Sequence, residues 1–262
     1  MKESIGMQTG FKLNKIYHTG YCVGRGILAD RTLNWSKVRF YTRCFLIEHP
    51  TKGLILIDTG YGKDFIEATR TGIYSFYRSL LPVNYDDEDS IVSQLAKDGI
   101  SLEDLSYLII THFHPDHIGA LPEFKNVPWI YRSDTLEKLM SFSKLRGLTH
   151  GFIRPLIPSI PSGSISITKS HFKEKWNSFS SVDLFHDDTL HLIDLPGHAL
   201  GQMGVAIPDA FFIADAKWAV DSLPHALGFL LQEDSKAYRK TNKSLEDCLS
   251  SIKIFPTHTI EV

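Results

Sequence analysis

The segment THFHPDH, residues 111 to 117, places three histidines and one aspartate within six residues, directly after the apolar run LSYLII. His112 and His114 alternate, so both side chains can face one centre if the backbone stays extended, and Pro115 then turns the chain before Asp116 and His117. Imidazole and carboxylate ligands without thiolate favour zinc, and iron or manganese can bind the same donors. Two neighbouring metal centres would use all four residues. The alternative is a polar surface loop whose histidines occur by chance.

A metal site needs further ligands, and three residues elsewhere in the chain also follow predicted strands. They are His198 in LPGHALGQ, Asp215 in FFIADAKW and His258 in IFPTHT. Each of them alone is weak support for a site. Together with the 111 to 117 loop they provide seven candidate ligands, spread over both halves of the chain.

The surrounding sequence predicts alternating strands and helices. We expect a hairpin of 38 to 49 with 53 to 60, a helix over 89 to 100 capped by Asp89 or Ser90, a strand over about 106 to 111, a helix over 133 to 145, hairpins over 181 to 198 (turning at Asp187 and Asp188) and 204 to 218, a helix near 234 to 250 and a final strand over 251 to 258. The stretch from about 147 to 175 is rich in Pro, Ser and Gly, and we predict an irregular excursion over the surface or the active site.

Composition limits the class of protein. The 262 residues, 43% of them hydrophobic, suffice for one domain spanning the whole chain. A net charge of −2 without a basic block argues against nucleic acid as a partner. The first residues lack the layout of a signal peptide and no stretch is apolar enough for a membrane span, so we expect no membrane partner and a cytoplasmic protein. Cys22, Cys44 and Cys248 are too few and too scattered for a disulfide framework or a thiolate zinc site, and we interpret them as buried thiols.

These motifs resemble the metallo-β-lactamase superfamily over about Val38 to Thr259. Asp58 in LIDTG, the segment THFHPDH, PGH with His198, Asp215 and His258 match the family's five motifs in order. The resemblance implies a four-layer α/β/β/α sandwich with a dinuclear site at one edge. It assigns His112, His114 and His198 to the first metal, Asp116, His117 and His258 to the second, and Asp215 to both. It also implies that Asp58 orients a ligand imidazole; the competing interpretation, a turn residue before Gly60, is compatible with that role.

The implied chemistry is metal-dependent hydrolysis. A water shared by two divalent ions loses a proton near neutral pH and becomes a hydroxide nucleophile, so neither a serine nor a cysteine nucleophile is required. Asp116 and Asp215 are the candidate catalytic carboxylates, and Asp215 can also pass a proton toward the leaving group. Asp215 disfavours a true β-lactamase, since enzymes of that kind generally lack the bridging carboxylate. His114 disfavours the oxygen-reducing relatives, which usually carry an acidic residue there.

The layout is closest to the N-acyl-homoserine lactonase branch. The segment 65 to 81 is dense in apolar and aromatic side chains, and Phe76 and Tyr77 either line an acyl pocket or pack a helix. Trp218 occupies the position of a tyrosine that in homoserine lactonases is expected to donate to the substrate oxygen. It could orient a substrate carbonyl or stack on the substrate, or it could be a core residue.

We therefore predict a di-zinc hydrolase of a carboxylic ester bond, with a lactone as the leading substrate class. Its partner would be a small molecule carrying an acyl or lactone group, and the resemblance leaves room for a homodimer. One alternative is a thioesterase of the glyoxalase II kind. Another is a metal-binding scaffold without catalysis.

Overall fold

The computed structural model describes residues 12–218, 226–248 and 252–261. Within them the chain forms fourteen strands, here numbered in order: β1 Lys12–Arg25, β2 Lys37–His49, β3 Gly53–Ile57, β4 Val83–Asn84, β5 Leu105–Ile109, β6 Trp129–Arg132, β7 Ile165–Ile167, β8 Glu174–Trp176, β9 Phe179–Asp183, β10 His191–Asp194, β11 Met203–Ile207, β12 Ala210–Ala214, β13 Lys253–Pro256 and β14 His258–Glu261. The first sheet has the order β4-β1-β2-β3-β5-β6-β7, and β14 also pairs with β2. The second sheet has the order β13-β12-β11-β10-β9-β8.

Helices cover the outer faces of both sheets. In the described residues they are α1 Lys63–Ala68, α2 Ser75–Leu80, α3 Ile91–Lys97, α4 Pro115–Ile118, α5 Ser133–Met140, α6 Lys144–Thr149, α7 Ala226–Leu230 and α8 Ser235–Cys248. Phe65 of α1 and Leu95 of α3 belong to the core on the outer face of the first sheet. Leu245 of α8 belongs to the core on the outer face of the second.

The β2 strand shows how the sequence builds these layers. Side chains alternate between the two faces of a strand, and both faces of β2 are buried over residues 44 to 47. Cys44 and Leu46 point toward the helices, whereas Phe45 and Ile47 join the core between the two sheets. Leu192 and Phe212 reach that same inner core from the second sheet. The four-layer α/β/β/α sandwich is confirmed.

Most predicted elements are present. The β2 and β3 strands pair as an antiparallel hairpin, and so do β9 with β10 and β11 with β12. Asp187 and Asp188 lie in the turn between β9 and β10. The Ser90 hydroxyl accepts a hydrogen bond from Val92 N and caps α3, as predicted. The predicted helix over 234 to 250 is α8, and residues 249 and 250 lie outside the described residues.

Three predictions were wrong. The single helix over 133 to 145 is two, because Ser143 accepts from Arg146 N and starts a new helix, α6. The final strand over 251 to 258 is also two, since the chain leaves the second sheet at Pro256 and enters the first at His258. The stretch from 147 to 175 is not wholly irregular, because it contributes β7 to the edge of the first sheet and contains β8. The long β1 strand was not predicted.

Cys22 and Cys44 are buried free thiols, as expected. The side chain of Cys248 lies outside the part of the chain that the structure describes. None of the described helices has the length and apolar character to span a membrane.

Candidate metal centre

The candidate ligands meet at one end of the sandwich because the strands that precede them end there. The parallel strands β3 and β5 end just before Asp58 and the 111 to 117 loop. From the second sheet, His198 follows β10 and Asp215 follows β12. His258 begins β14 at the point where the chain crosses between the sheets. Polar groups at the ends of adjacent strands therefore converge on one edge of the molecule.

The ligand atoms form two compact groups. The first group is His112, His114 and His198, and the second group is Asp116, His117, Asp215 and His258; within each, the donor atoms all lie within 4.8 Å of one another. Asp215 lies between the groups, because its Oδ2 is 3.4 Å from His198 Nε2 and 3.1 Å from His258 Nε2. This division into two groups is the one that the family resemblance implies.

Hydrogen bonds on the far side of each ring turn one nitrogen inward. His117 Nδ1 donates to Asp58 Oδ2 at 2.7 Å, and His198 Nδ1 donates to Gln232 Oε1 at 2.8 Å. The Thr111 hydroxyl donates to Asp58 Oδ2 at 2.7 Å, so it can accept from His112 Nδ1 at 3.2 Å. These contacts hold Nδ1 of each ring on the outer side and turn Nε2, the nitrogen that would bind a metal ion, toward the centre.

Several buried atoms that point toward the centre of the site lack a hydrogen-bond partner in the described chain. Among the described residues, His112 Nε2, His117 Nε2 and Asp215 Oδ1 are buried without a hydrogen-bond partner. In the first group, Nε2 of His198 lies 3.0 Å from Nδ1 of His114, so two candidate ligand atoms face each other. Buried polar atoms without partners are costly. Divalent ions bound by imidazole and carboxylate would satisfy them, so the residues fit the implied dinuclear site.

The two groups differ in charge. Burial lowers the pKa of His114 to about 3, and the neighbouring His198 contributes to this shift. Burial likewise holds the pKa of His112 well below its usual value. In the second group burial also opposes protonation, but carboxylates outweigh it, chiefly Asp58 beside His117 and Asp215 beside His258, and raise the pKa of both imidazoles to about 10. The first group is thus a set of neutral imidazoles, whereas the carboxylates around the second group favour positive charge there, which a bound cation would supply.

Asp58 contacts the ring of the candidate ligand His117, and it also lies in the predicted turn. Its Oδ1 accepts from Thr111 N at 2.8 Å. Its φ of +60° lies in the left-handed region, which few residues other than glycine adopt. The strained backbone places one carboxylate against both Thr111 and His117.

Sequence analysis missed two residues that hold the site. Gln232 is buried, accepts from His198 and donates through Nε2 to Gly228 O at 2.8 Å. Arg43 donates to the carbonyls of Pro256 and Thr257, just before His258. Both residues stand outside any motif, and no local pattern in the sequence could have revealed them.

Part of the 147 to 175 excursion lies on the first group. Gly151 has a φ of +65°, and a Cβ there would lie 2.7 Å from His114 Cδ2. Only glycine allows the backbone to approach the ring so closely. The excursion therefore contacts the candidate site itself.

The predicted pocket residues lie in different environments. Trp218 is half-buried, and its indole N–H donates to Asp215 Oδ2 at 2.9 Å. Tyr77 is half-buried with its ring 5.7 Å from that of Phe65, and burial together with the negative charge of Asp116 raises its pKa. Phe76 is 63% exposed on the surface of α2. Their contact with a substrate stays a prediction.

Comparison with known proteins agrees with this geometry. The profile of the metallo-beta-lactamase superfamily matches residues 38–252. The chain belongs to this superfamily. A Mycobacterium tuberculosis protein described as a "probable metallo-hydrolase" is 23% identical over 184 residues, which are 67% of this chain and 55% of that protein. An N-acyl homoserine lactonase of Bacillus cereus is 34% identical over 87 residues, which are 33% of this chain and 34% of the lactonase. The chain thus spans about half of the first relative's length and a third of the second's.

A solved N-acyl homoserine lactone hydrolase, with N-hexanoyl-L-homoserine bound at its catalytic metal centre, superposes with a TM-score of 0.71 at 21% identity. The superposition covers 94% of each chain and shows that the fold is shared. The profile match and this superposition thus establish the family and the fold of the chain.

Proposed function

We propose that this protein is a di-metal hydrolase, with zinc as the expected metal, that cleaves a carboxylic ester bond, and that a lactone is its leading substrate class. The observation that carries this proposal is the pair of ligand groups that meet at Asp215. The lactonase relatives support the choice of substrate, although the sequence match covers a third of the chain.

Divalent ions held by the two groups would lower the pKa of water toward neutrality and polarise a carbonyl oxygen. The chain's own residues prepare the site for them. Asp58 and Gln232 hold His117 and His198 with Nε2 turned inward, so little reorganisation is needed. We assign Asp116 and Asp215 to the reacting centre, and Asp215 to carry a proton toward the leaving oxygen.

Metal analysis and a substrate panel test the proposal together. The purified protein, loaded with zinc, should hold close to two ions per chain by elemental analysis. Asp116→Ala should lower occupancy at the second group far more than at the first, and equal loss at both would refute the assignment of ligands. The loaded protein should hydrolyse lactones in preference to thioesters, phosphodiesters and β-lactams. A preference for thioesters would favour the glyoxalase II kind of activity, and no hydrolysis of any class would refute the proposal.

Acyl-chain preference tests the proposed pocket. Tyr77 is half-buried, whereas Phe76 of the same helix is largely exposed. If the segment 65 to 81 lines an acyl site, Tyr77→Ala should raise KM for long-chain substrates more than for short ones. Phe76→Ala is the matched variant at an adjacent position, and we expect it to have the smaller effect. Unchanged chain-length preference in both variants would assign this segment to helix packing alone.

The sequence-based expectations of a cytoplasmic location and of pairing into a homodimer belong to this proposal. Light scattering coupled to gel filtration checks the second of them. A monomeric mass at all concentrations would contradict pairing.

A further inference from the structure

The indole of Trp218 lies across the boundary between the two ligand groups. Its ring meets that of His198 edge to face, with centroids 5.5 Å apart, and meets Phe40 in the same way at 6.4 Å. Phe40 in turn packs edge to face against His258 at 6.3 Å. Trp218 therefore contacts His198 of the first group directly, and Phe40 links it to His258 of the second.

The Trp218 N–H makes its hydrogen bond to Asp215. Oδ2 of this carboxylate accepts from the indole at 2.9 Å and also faces His258 and His198. The other oxygen, Oδ1, lies 3.3 Å from His117 Nε2 and has no hydrogen-bond partner among the described residues. Rotation about the bond to the carboxylate carbon would exchange these two environments. The indole N–H distinguishes one oxygen from the other.

Different residues hold the backbone of this turn. Ala214 has a φ of +48°, which places Asp215 at a sharp bend after β12. Asn242 of α8 donates to Ala216 O at 2.7 Å and to Tyr238 O at 2.9 Å. The main chain at Asp215 is thus held by other residues, and the hydrogen bond of the Trp218 indole reaches only the carboxylate.

We propose that Trp218 is the positioning residue of Asp215, and that its N–H fixes the rotation of the carboxylate that both ligand groups share. The inference rests on the proposed dinuclear function and deepens it. It also revises the role expected from the family pattern, because an N–H that donates to Asp215 is not available to a substrate carbonyl. A substrate oxygen would be held by other groups.

Trp218→Phe tests this role, since it keeps an aromatic ring and removes the donor. We expect the affinity for the second equivalent of zinc to fall by about 10-fold or more, the lower end of what loss of an outer hydrogen bond costs a metal site. The visible absorption spectrum of the Co(II)-loaded protein should change, because the coordination geometry follows the carboxylate. Trp176→Phe is the matched control, since Trp176 packs on Phe211 in another core. Its zinc affinity and Co(II) spectrum should equal those of the parent.

Phe40→Leu separates the hydrogen bond from ring packing. It removes the aromatic neighbour of Trp218 and His258 but leaves the N–H in place, so the Co(II) spectrum should stay close to that of the parent. If Phe40→Leu reproduces the Trp218→Phe spectrum, packing is responsible and the inference is overturned. A parental spectrum and zinc affinity in Trp218→Phe overturn it as well.

Indole N–H exchange gives a readout that is independent of activity. The chain has four tryptophans, and the ¹⁵N–¹H indole signal that disappears in Trp218→Phe identifies Trp218. In the zinc-loaded parent this proton should exchange with solvent far more slowly than that of Trp35, which is 56% exposed. Exchange as fast as that of Trp35 would contradict the inference. Zinc affinity, the Co(II) spectrum and indole exchange do not depend on hydrolysis of a lactone. Failure of this inference can therefore be distinguished from failure of the proposed function.

Discussion

The two ends of the sandwich each bury a histidine, His117 in α4 at one end and His49 at the end of β2 at the other, and the two rings differ in what their nitrogens contact. At the ligand end, His117 Nδ1 donates to Asp58, while Nε2 faces the centre without a hydrogen-bond partner in the described chain. At the opposite end, His49 Nδ1 accepts from the backbone N–H groups of Thr51 and Lys52, both at 3.2 Å. Its Nε2 therefore carries the proton and donates to Thr189 Oγ1 at 3.0 Å.

The two histidines are equally buried but differ in how their ring nitrogens are satisfied. Both imidazole side chains are 0% exposed. His49 joins the β2–β3 turn to the β9–β10 turn of the other sheet, and the protein alone satisfies both nitrogens. In His117, by contrast, Nε2 has no hydrogen-bond partner in the part of the chain that the structure describes. We infer that hydrogen bonds within the protein satisfy the polar groups at the His49 end, whereas the polar groups at the ligand end need bound ions.

Removing the metals should produce the largest difference between the two ends. Chelation followed by dialysis should reduce hydrolysis to background, and added zinc should restore it. Zinc at 1,000 times its Kd should raise the free energy of unfolding by about 4 kcal/mol if it binds the folded state alone. Denaturant unfolding of apo and loaded protein measures this gain. A variant at the other end, Thr189→Val, should show the same gain as the parent, and no gain in either protein would mean that the ligand end is complete without ions.

Weakening one outer hydrogen bond should have a smaller effect. Asp58→Asn keeps a residue type that tolerates positive φ, but it removes the charge that faces His117 Nδ1. We expect the metal affinity of the second group to fall by about 10- to 100-fold. Competition with a chromophoric chelator measures it. Thr189→Val, which removes the hydroxyl bonded to His49, is the matched variant and should leave metal affinity unchanged; a similar loss in both would show that the effect comes from general destabilisation.

The parts of the site that could be predicted from the sequence are those whose residues lie together in a local motif. The ligands in THFHPDH are contiguous and follow an apolar strand, so their residue types and spacing are informative on their own. Gln232 and Arg43 act on His198 and on the segment before His258 from distant positions in the sequence, with no local pattern around them. The break between β13 and β14 was missed for the same reason. Its strand pattern continues through Pro256 and Thr257, and the crossing is held by Arg43, more than 200 residues earlier.

Substitution of His49 should affect stability without affecting the metals. His49→Leu keeps an apolar side chain of similar size but removes the link between the two turns, including the bond to Thr189. Loss of such a buried hydrogen-bonded group costs about 1–3 kcal/mol. Urea unfolding of the zinc-free protein measures it, and zinc content and lactone hydrolysis of the loaded variant should match the parent. Loss of bound zinc at 25 °C would show that the two ends are coupled.

The smallest expected effect is a pH dependence that arises from His49. Burial lowers the pKa of this imidazole, and the nearby Asp187 only partly opposes the shift. The folded pKa is thus below the unfolded value of about 6.5, so below that pH the unfolded chain binds the proton first. The stability that neutral His49 contributes is fully present above about pH 6.5 and is lost as the pH falls toward the folded pKa. In His49→Asn, which does not titrate, zinc-free protein should lose less stability than the parent between pH 8 and pH 5, as measured by urea unfolding at each pH. Because metal ligands titrate in both proteins, the difference between the two curves isolates His49, and parallel curves would show that its protonation is not linked to folding.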